Sequence, residues 1–331
     1  MNCQKSIEKF LMRVIVVSLL LLVISYSEYA WGQEIEPQQV LTLDWGSGEN
    51  QIGYVFHGLP VGPGDFAVDS IGNIYIVDQV NLKVKEFDKG GSLMASFIFT
   101  DARKPGSIIL GKDGCIYTFI KGHLPRVKKF DKEGHLLINR RINVSGGSLS
   151  LDSEGSIYVT RPSFEMVKLD DELNQIFRKP EQGEGIPLWY IVNGRALLLE
   201  EIKEDGEYKI GVKQVEDFRA KKGKVSALLE KGSIIPVNTA EKEYLLSPKP
   251  IGEDDEGNLY IVYTVGRRRA YHRRVLKLNP DGEKIGEIDI HTEWRAGIER
   301  PFEVDGRGNV YVMNCDEEKV WIDKYPAEMF K

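Results

Sequence analysis

Short apolar runs alternate with polar turns along most of the chain, in an order that repeats. An acidic or polar turn ending in Gly is followed by one residue and then by an aliphatic-Tyr pair. Asp69 to Gly72 leads to Ile74-Tyr75, Lys112 to Gly114 leads to Ile116-Tyr117, and Asp152 to Gly155 leads to Ile157-Tyr158. Asp254 to Gly257 leads to Leu259-Tyr260, and Asp305 to Gly308 leads to Val310-Tyr311. A weaker copy around Gly194 (Val192 to Leu197) lacks both the Asp and the Tyr. These glycines lie 42, 41, 39, 63 and 51 residues apart. Ile74 and Ile76 set against Tyr75 and Val77 give the period of two expected of a strand. Gly supplies the positive φ of a tight hairpin, and Asp or Asn stabilises the turn through its own side chain.

A second phrase trails the first: Val84 to Gly90, Val127 to Gly134, Val167 to Asp170, Val275 to Gly282 and Val320 to Pro326. Each unit therefore predicts four antiparallel strands in ~40–45 residues, the size of one propeller blade. Six units predict an all-β, six-bladed β-propeller. The last unit ends soon after its third strand, and Gln39–Trp45 alternates correctly to supply the missing fourth. A ring closed by both termini leaves no open sheet edge.

The phrases resemble NHL repeats, whose pattern sets an Asp at the end of the second strand and an Asn opening the third. Asp78 and Asn81 match it best; the other copies lack the pair. The resemblance spans about residues 65–325 and implies an NHL-like six-bladed propeller of the exported bacterial type.

Residues 1–32 read as a secretory signal: Lys5, Lys9 and Arg13 precede the apolar run Val14 to Ile24, and Ala30 to Gly32 offers a cleavage site. Met12 is an alternative start. That apolar run is about half of the ~20 residues a membrane span needs, so an uncleaved anchor is the other reading and the only expected tie to a membrane. The domain expected to fold is 33–331, exported to the periplasm or the extracellular space and monomeric. Loss of the signal shifts the net charge from −6 to −7, which argues against nucleic acid as a partner. Cys115 and Cys315 fall on different repeats, and no disulfide is required.

The positions six residues beyond each key Gly are Asp78, Ile120, Arg161, Glu200, Tyr263 and Asn314. They are expected at the inner rim, on the face where the loops between second and third strands open. On that face lies Arg267-Arg268-Arg269-Ala270-Tyr271-His272-Arg273-Arg274, able to pair carboxylate, phosphate or sulfate bidentately, with Tyr271 as a stacking surface. The alternative is a solvated hairpin paired with nearby acids. An insertion at about 221–247 and the linkers His57–Gly64, Phe99–Lys104 and His291–Arg300 are expected around the same mouth, with Trp294 and Trp189 as possible lining.

The expected function is a binding or scaffold module for a protein, peptide or anionic glycan, without a cofactor. The alternative is a metal-assisted lyase or lactonase, with calcium held by Asp78, Glu200 and Asn314. Streptogramin-lyase-like propellers use a His on this face. The five His here include none at the rim positions, and no Ser-His-Asp order, zinc spacing or phosphate loop is present.

Overall fold

The computed structural model describes residues 36–330 except 100–103, 145–146, 153–154, 162–164, 180–188, 193–194, 205–206, 216–232, 238–243, 268–269 and 294–299. The signal-segment prediction lies outside the described residues. The compact unit Pro37–Lys331 contains six four-stranded antiparallel blades. Blade one runs through Phe66–Val68, Ile74–Asp78, Lys83–Phe87 and Leu93–Ile98, and blade two through Pro105–Leu110, Ile116–Ile120, Arg126–Phe130 and Leu136–Arg141. Blade three comprises Ser148–Leu151, Ile157–Arg161, Glu165–Leu169 and Gln175–Lys179. Blade four comprises Trp189–Val192, Arg195–Glu204, Glu207–Val215 and Ser233–Val237, and blade five Tyr244–Glu253, Leu259–Arg267, Ala270–Leu278 and Lys284–Ile290.

Blade six takes three strands from the C-terminus, Phe302–Val304, Val310–Cys315 and Lys319–Tyr325, and its fourth, Gln38–Trp45, from the start of the unit. The closing strand runs antiparallel to the third, with Thr42 opposite Trp321 and Leu43 opposite Val320. Leu41 and Leu43 bury their side chains against blades six and one, as the alternation of that segment dictates. A short parallel addition, Gln51–Ile52, extends this sheet. First strands of successive blades touch in cyclic order around the axis, so they line the channel. The apolar cores lie between neighbouring blades, in separate clusters.

The repeated phrase has a mechanical reason beyond its turn. In blade five, Asp254 Oδ1 accepts from the backbone N–H of Asn258 at 2.9 Å, while Oδ2 accepts from Asn258 Nδ2 at 2.9 Å and from the Tyr260 hydroxyl at 3.0 Å. Gly257 closes the turn at φ 81°. Lys277, directly opposite Tyr260 on the third strand, sits over its ring at 5.2 Å and pairs with the Asp254 carboxylate at 3.3 Å. Burial pushes the Asp254 carboxyl up, but the bonds from Asn258 and Tyr260 and the Lys277 charge outweigh it and hold it below the usual range. Blade three repeats the arrangement with Asp152, Tyr158 and Lys168, whereas in blade two Lys129 lies over the Tyr117 ring and pairs with Asp113, two residues further along the turn. In blade six the Tyr311 hydroxyl donates to Asp305 with Lys324 over the ring. Blade one has Glu86 opposite Tyr75, and there the hydroxyl donates to Glu86 instead, at 2.8 Å. The Lys of the second phrase is thus the partner of the Asp and Tyr of the first.

Candidate functional site

The four rim positions whose side chains are described, Asp78, Ile120, Tyr263 and Asn314, do not converge on one point. In each blade the first strand is innermost, so the end of the second strand is covered by the segment that enters the blade. Asp78 is fully buried: Oδ1 accepts from the N–H groups of Gly53 and Asn81 at 3.2 and 3.0 Å, and Oδ2 from Asn81 Nδ2 at 2.8 Å. Lys85, equally buried, lies 3.6 Å from Asp78 and donates to the carbonyls of Gly48 and Gln51. Together they clasp residues 46–53, the chain leaving the closing strand. Asn314 makes a similar clasp in blade six, accepting from the Glu293 N–H at 2.9 Å and donating to Asp323 at 2.8 Å. Ile120 and Tyr263 are buried in apolar clusters between blades. Tyr263 donates its hydroxyl to Glu287 on the outer strand of its own blade. The backbones of Arg161 and Glu200 end and continue second strands, while their side chains lie outside the described residues. Asp78 and Asn314, two of the three candidate calcium ligands, therefore serve separate structural clasps. Among the described residues no three His, Cys, Asp or Glu side chains gather as a metal site.

What lies at the channel mouth is an arginine at the end of the 291–300 linker, a segment expected there, although this residue is not among the expected site residues. Arg300 precedes the first strand of blade six. Its Nη1 donates to the Asp65 carboxylate of blade one at 3.4 Å and to the Leu149 carbonyl of blade three at 3.3 Å, while Nη2 reaches Glu303 of blade six at 3.4 Å. The guanidinium thus spans the channel and gives the mouth a floor. Asp65 also accepts from the Ile108 N–H of blade two at 3.1 Å, and Ser107 Oγ from the Leu149 N–H at 3.2 Å, so one polar chain links blades six, one, two and three. Arg300 and Glu303 keep 27% and 22% of their side-chain surface open to the lumen although the ring encloses them. Burial pushes the Glu303 carboxyl up to about 8, the Asp65 charge adds to this, and Arg300 opposes it.

The mouth is asymmetric because blades four and five rise above it. Their second strands continue through Glu204 and Arg267, four residues past rim positions Glu200 and Tyr263, or about 13 Å at ~3.3 Å per residue. The two raised hairpins have a shared apolar core of Tyr208, Ile210, Val237, Leu245 and Val265. They form a packed wall. Of the predicted insertion, Ser233–Val237 is the outer strand of blade four and Tyr244–Ser247 opens blade five; the remainder lies outside the described residues. In the 57–64 linker, a hairpin of Val55–Phe56 and Pro60–Val61 leaves Phe56 and Leu59 exposed. Trp294 and the Trp189 side chain are outside the described residues.

Strand alternation divides the arginine patch between the two faces of this wall. Arg274, opposite Tyr263, faces blade four and pairs with Asp289 at 2.8 Å, with His272 at 3.8 Å from the same carboxylate. Arg273 is opposite Thr264, in register with Val262 and Val275, whose side chains pack toward blade six. Tyr271, next along the same face, is half exposed. Arg267 is exposed at the end of the wall, and Arg268 and Arg269 lie outside the described residues.

Between the blade-six face of the wall and Arg300 lies a cleft of about 420 Å³, within the range of small-molecule sites. Lys249, Thr264, Arg273 and Arg300 supply its polar lining, and Pro250, Ile251, Val262, Pro301 and Phe302 its apolar lining. Its edge is shaped by a bulge in the first strand of blade five, where register shifts between Leu246 and Lys249. Ser247 there holds φ 53°, a left-handed conformation unusual for a residue with a side chain, and Pro248 follows it. Arg273 Nη1 donates to Thr292 Oγ1 at 2.6 Å, which fixes the guanidinium on the cleft side, and burial lowers its pKa.

No protein-family model matches the chain, and no curated protein matches its sequence. The solved structures it is similar to share little sequence with it. A member of the DUF4221 family from Bacteroides vulgatus is 12% identical with a TM-score of 0.47, over 87% of this chain and 97% of that one. Virginiamycin B lyase from Staphylococcus aureus is 12% identical with a TM-score of 0.44, over 88% of each chain. A protein of unknown function from Bacteroides caccae is 12% identical with a TM-score of 0.40, over 69% of this chain and 82% of that one.

Proposed function

We propose that this propeller is an exported, NHL-like binding module that takes an anionic ligand on the face where blades four and five rise above the channel mouth. The observation that carries this reading is the bridge at the mouth: Arg300 reaches Asp65, Leu149 and Glu303, so a cation shared with two carboxylates forms a floor beneath the wall of blades four and five. Arg273 on the wall and Arg267 at its end add positive charge on the same face. This positive charge is local, since the chain as a whole is acidic, at −6.

That contrast supplies the test. A protein of net negative charge is repelled by an anionic matrix unless a local site engages it. The purified protein passed over immobilised heparin and over an immobilised acidic peptide, in ~50 mM salt, is expected to be retained on at least one and released as salt rises. Flow-through on both, with the propeller shown folded by circular dichroism, would overturn the reading.

A further inference from the structure

We propose that the cleft between blades five and six is a small-molecule site for an anion attached to a compact apolar body, with the anionic group held between Arg273 and Arg300. The inference rests on the anionic-ligand reading above and gives it a place and a chemical class. Three independent features of the fold converge on this cleft.

The first is the distribution of charge within it. Lys249 comes from the first strand of blade five, Arg273 from the third, and Arg300 from the entry to blade six, so three cations from three separate segments line one cavity. Guanidinium forks donate to carboxylate and phosphate oxygens in pairs, and a partly desolvated site makes each such bond stronger. The contacts of Arg300 with Asp65, Leu149 and Glu303 take up three of the five N–H groups of a guanidinium, at 3.3–3.4 Å. An incoming oxyanion can therefore be bound without dismantling the floor.

The second is the apolar half. Pro250 and Ile251, both partly exposed, sit beside the cations, backed by Val262 and Phe302 of the core that joins blades five and six. A fully hydrated inorganic ion would leave this surface unused. An aryl or short alkyl group bearing a phosphate or carboxylate would cover it.

The third is the backbone at the edge. The bulge at Leu246–Lys249 and the positive φ of Ser247 re-aim the first strand where it passes the cleft. Such local strain is held in place by its surroundings and gathers at binding sites. The packed wall of blades four and five supplies that support, and it keeps Thr264 and Arg273 on a rigid element.

The experiment uses the full propeller and two probes, phenyl phosphate and benzoate, with benzyl alcohol as the neutral comparison, at constant ionic strength by titration calorimetry. Binding of either anion and none of benzyl alcohol is expected. Arg273→Gln is expected to weaken affinity about tenfold and Lys249→Gln about threefold. Lys249 is exposed, so its variant keeps the test valid if Arg273→Gln fails to fold. Lys132→Gln, in an exposed turn outside the cleft, should leave affinity unchanged. Equal binding of benzyl alcohol, or anion binding insensitive to both Lys249→Gln and Arg273→Gln, overturns the site. Retention on heparin or acidic peptide without binding of either small anion also overturns it, while leaving the broader reading intact. Failure of all these anions to bind removes both.

Discussion

The guanidinium of Arg300 in blade six lies 3.3 Å from the carbonyl oxygen of Leu149 in blade three, so a single side chain crosses the propeller's channel. The same group faces Asp65, whose side chain is essentially fully buried and which also ties blade one to blade two. Replacing Arg300 by Met keeps much of its length but removes the guanidinium from beside the Asp65 charge. The expected cost is ~2 kcal/mol, at the low end for such a pair because Arg300 retains contact with water. Thermal unfolding of Arg300→Met should show a fall in Tm of about 3 °C. An unchanged Tm would mean that the bridge does not hold the ring.

Glu303 makes stability depend on pH. Its folded pKa is raised to about 8, so folding favours its protonated form. The penalty is absent below the ordinary carboxylate pKa, grows as pH rises from there, and is complete above about pH 8. Glu303→Gln should therefore match the parent at pH 4 and exceed it at pH 9, by on the order of 2 kcal/mol. That value is discounted because the carboxyl is 22% exposed to the lumen. Denaturant unfolding at the two pH values checks this, and a gap of the same size at both would count against it.

The Asp-Tyr-Lys arrangement predicts an opposite pH trend. Asp254 is held below its ordinary pKa, so its contribution is present above that value and is lost as pH falls through the folded one. Asp254→Ala should cost ~2–3 kcal/mol at pH 7, because it strands the Tyr260 hydroxyl and the Asn258 amide. The difference from the parent protein should shrink in acid. Urea unfolding at pH 7 and pH 3 separates this from a simple loss of packing, which would not change with pH.

Closure by the N-terminal strand gives a local prediction. Leu43 is 5% exposed and lies opposite Val320. Leu43→Ala should destabilise the protein by ~2–4 kcal/mol. It should also raise amide exchange selectively in Lys319–Tyr325, whose edge the strand covers, leaving blades three and four unchanged. Uniform acceleration across all blades would argue that the closing strand is not the weak point.

The periodic parts of this fold were legible because they obey local rules. Asp254, Gly257 and Tyr260 announce a turn and a strand wherever they occur, and the closing strand follows from a missing fourth strand and one alternating segment. The site was legible only in part. Asp78 and Asn314 sit at the ends of second strands, yet the linkers that cover those ends recruit them as clasps, and nothing local distinguishes a clasp from a rim. The arginine run reads as one patch along the chain, but period-two alternation sends Arg273 and Arg274 to opposite faces. The linker ending at Arg300 was expected at the mouth, but its pairing with Glu303 was not legible because the inner strand beside them is three residues long, Phe302–Val304, too short to show a pattern. Their meeting with Asp65 and Leu149 depends on ring closure across more than 150 residues of chain, a relationship that no local spacing encodes.

The measurement that tests the account most directly is a crystal structure with phenyl phosphate present near its solution dissociation constant. The phosphate is expected within hydrogen-bond distance of both Arg273 and Arg300, with the ring against Phe302 and Ile251 and the Arg300–Asp65 contact retained. Phosphate density on the Arg267 hairpin or elsewhere, over an empty cleft between blades five and six, would contradict it.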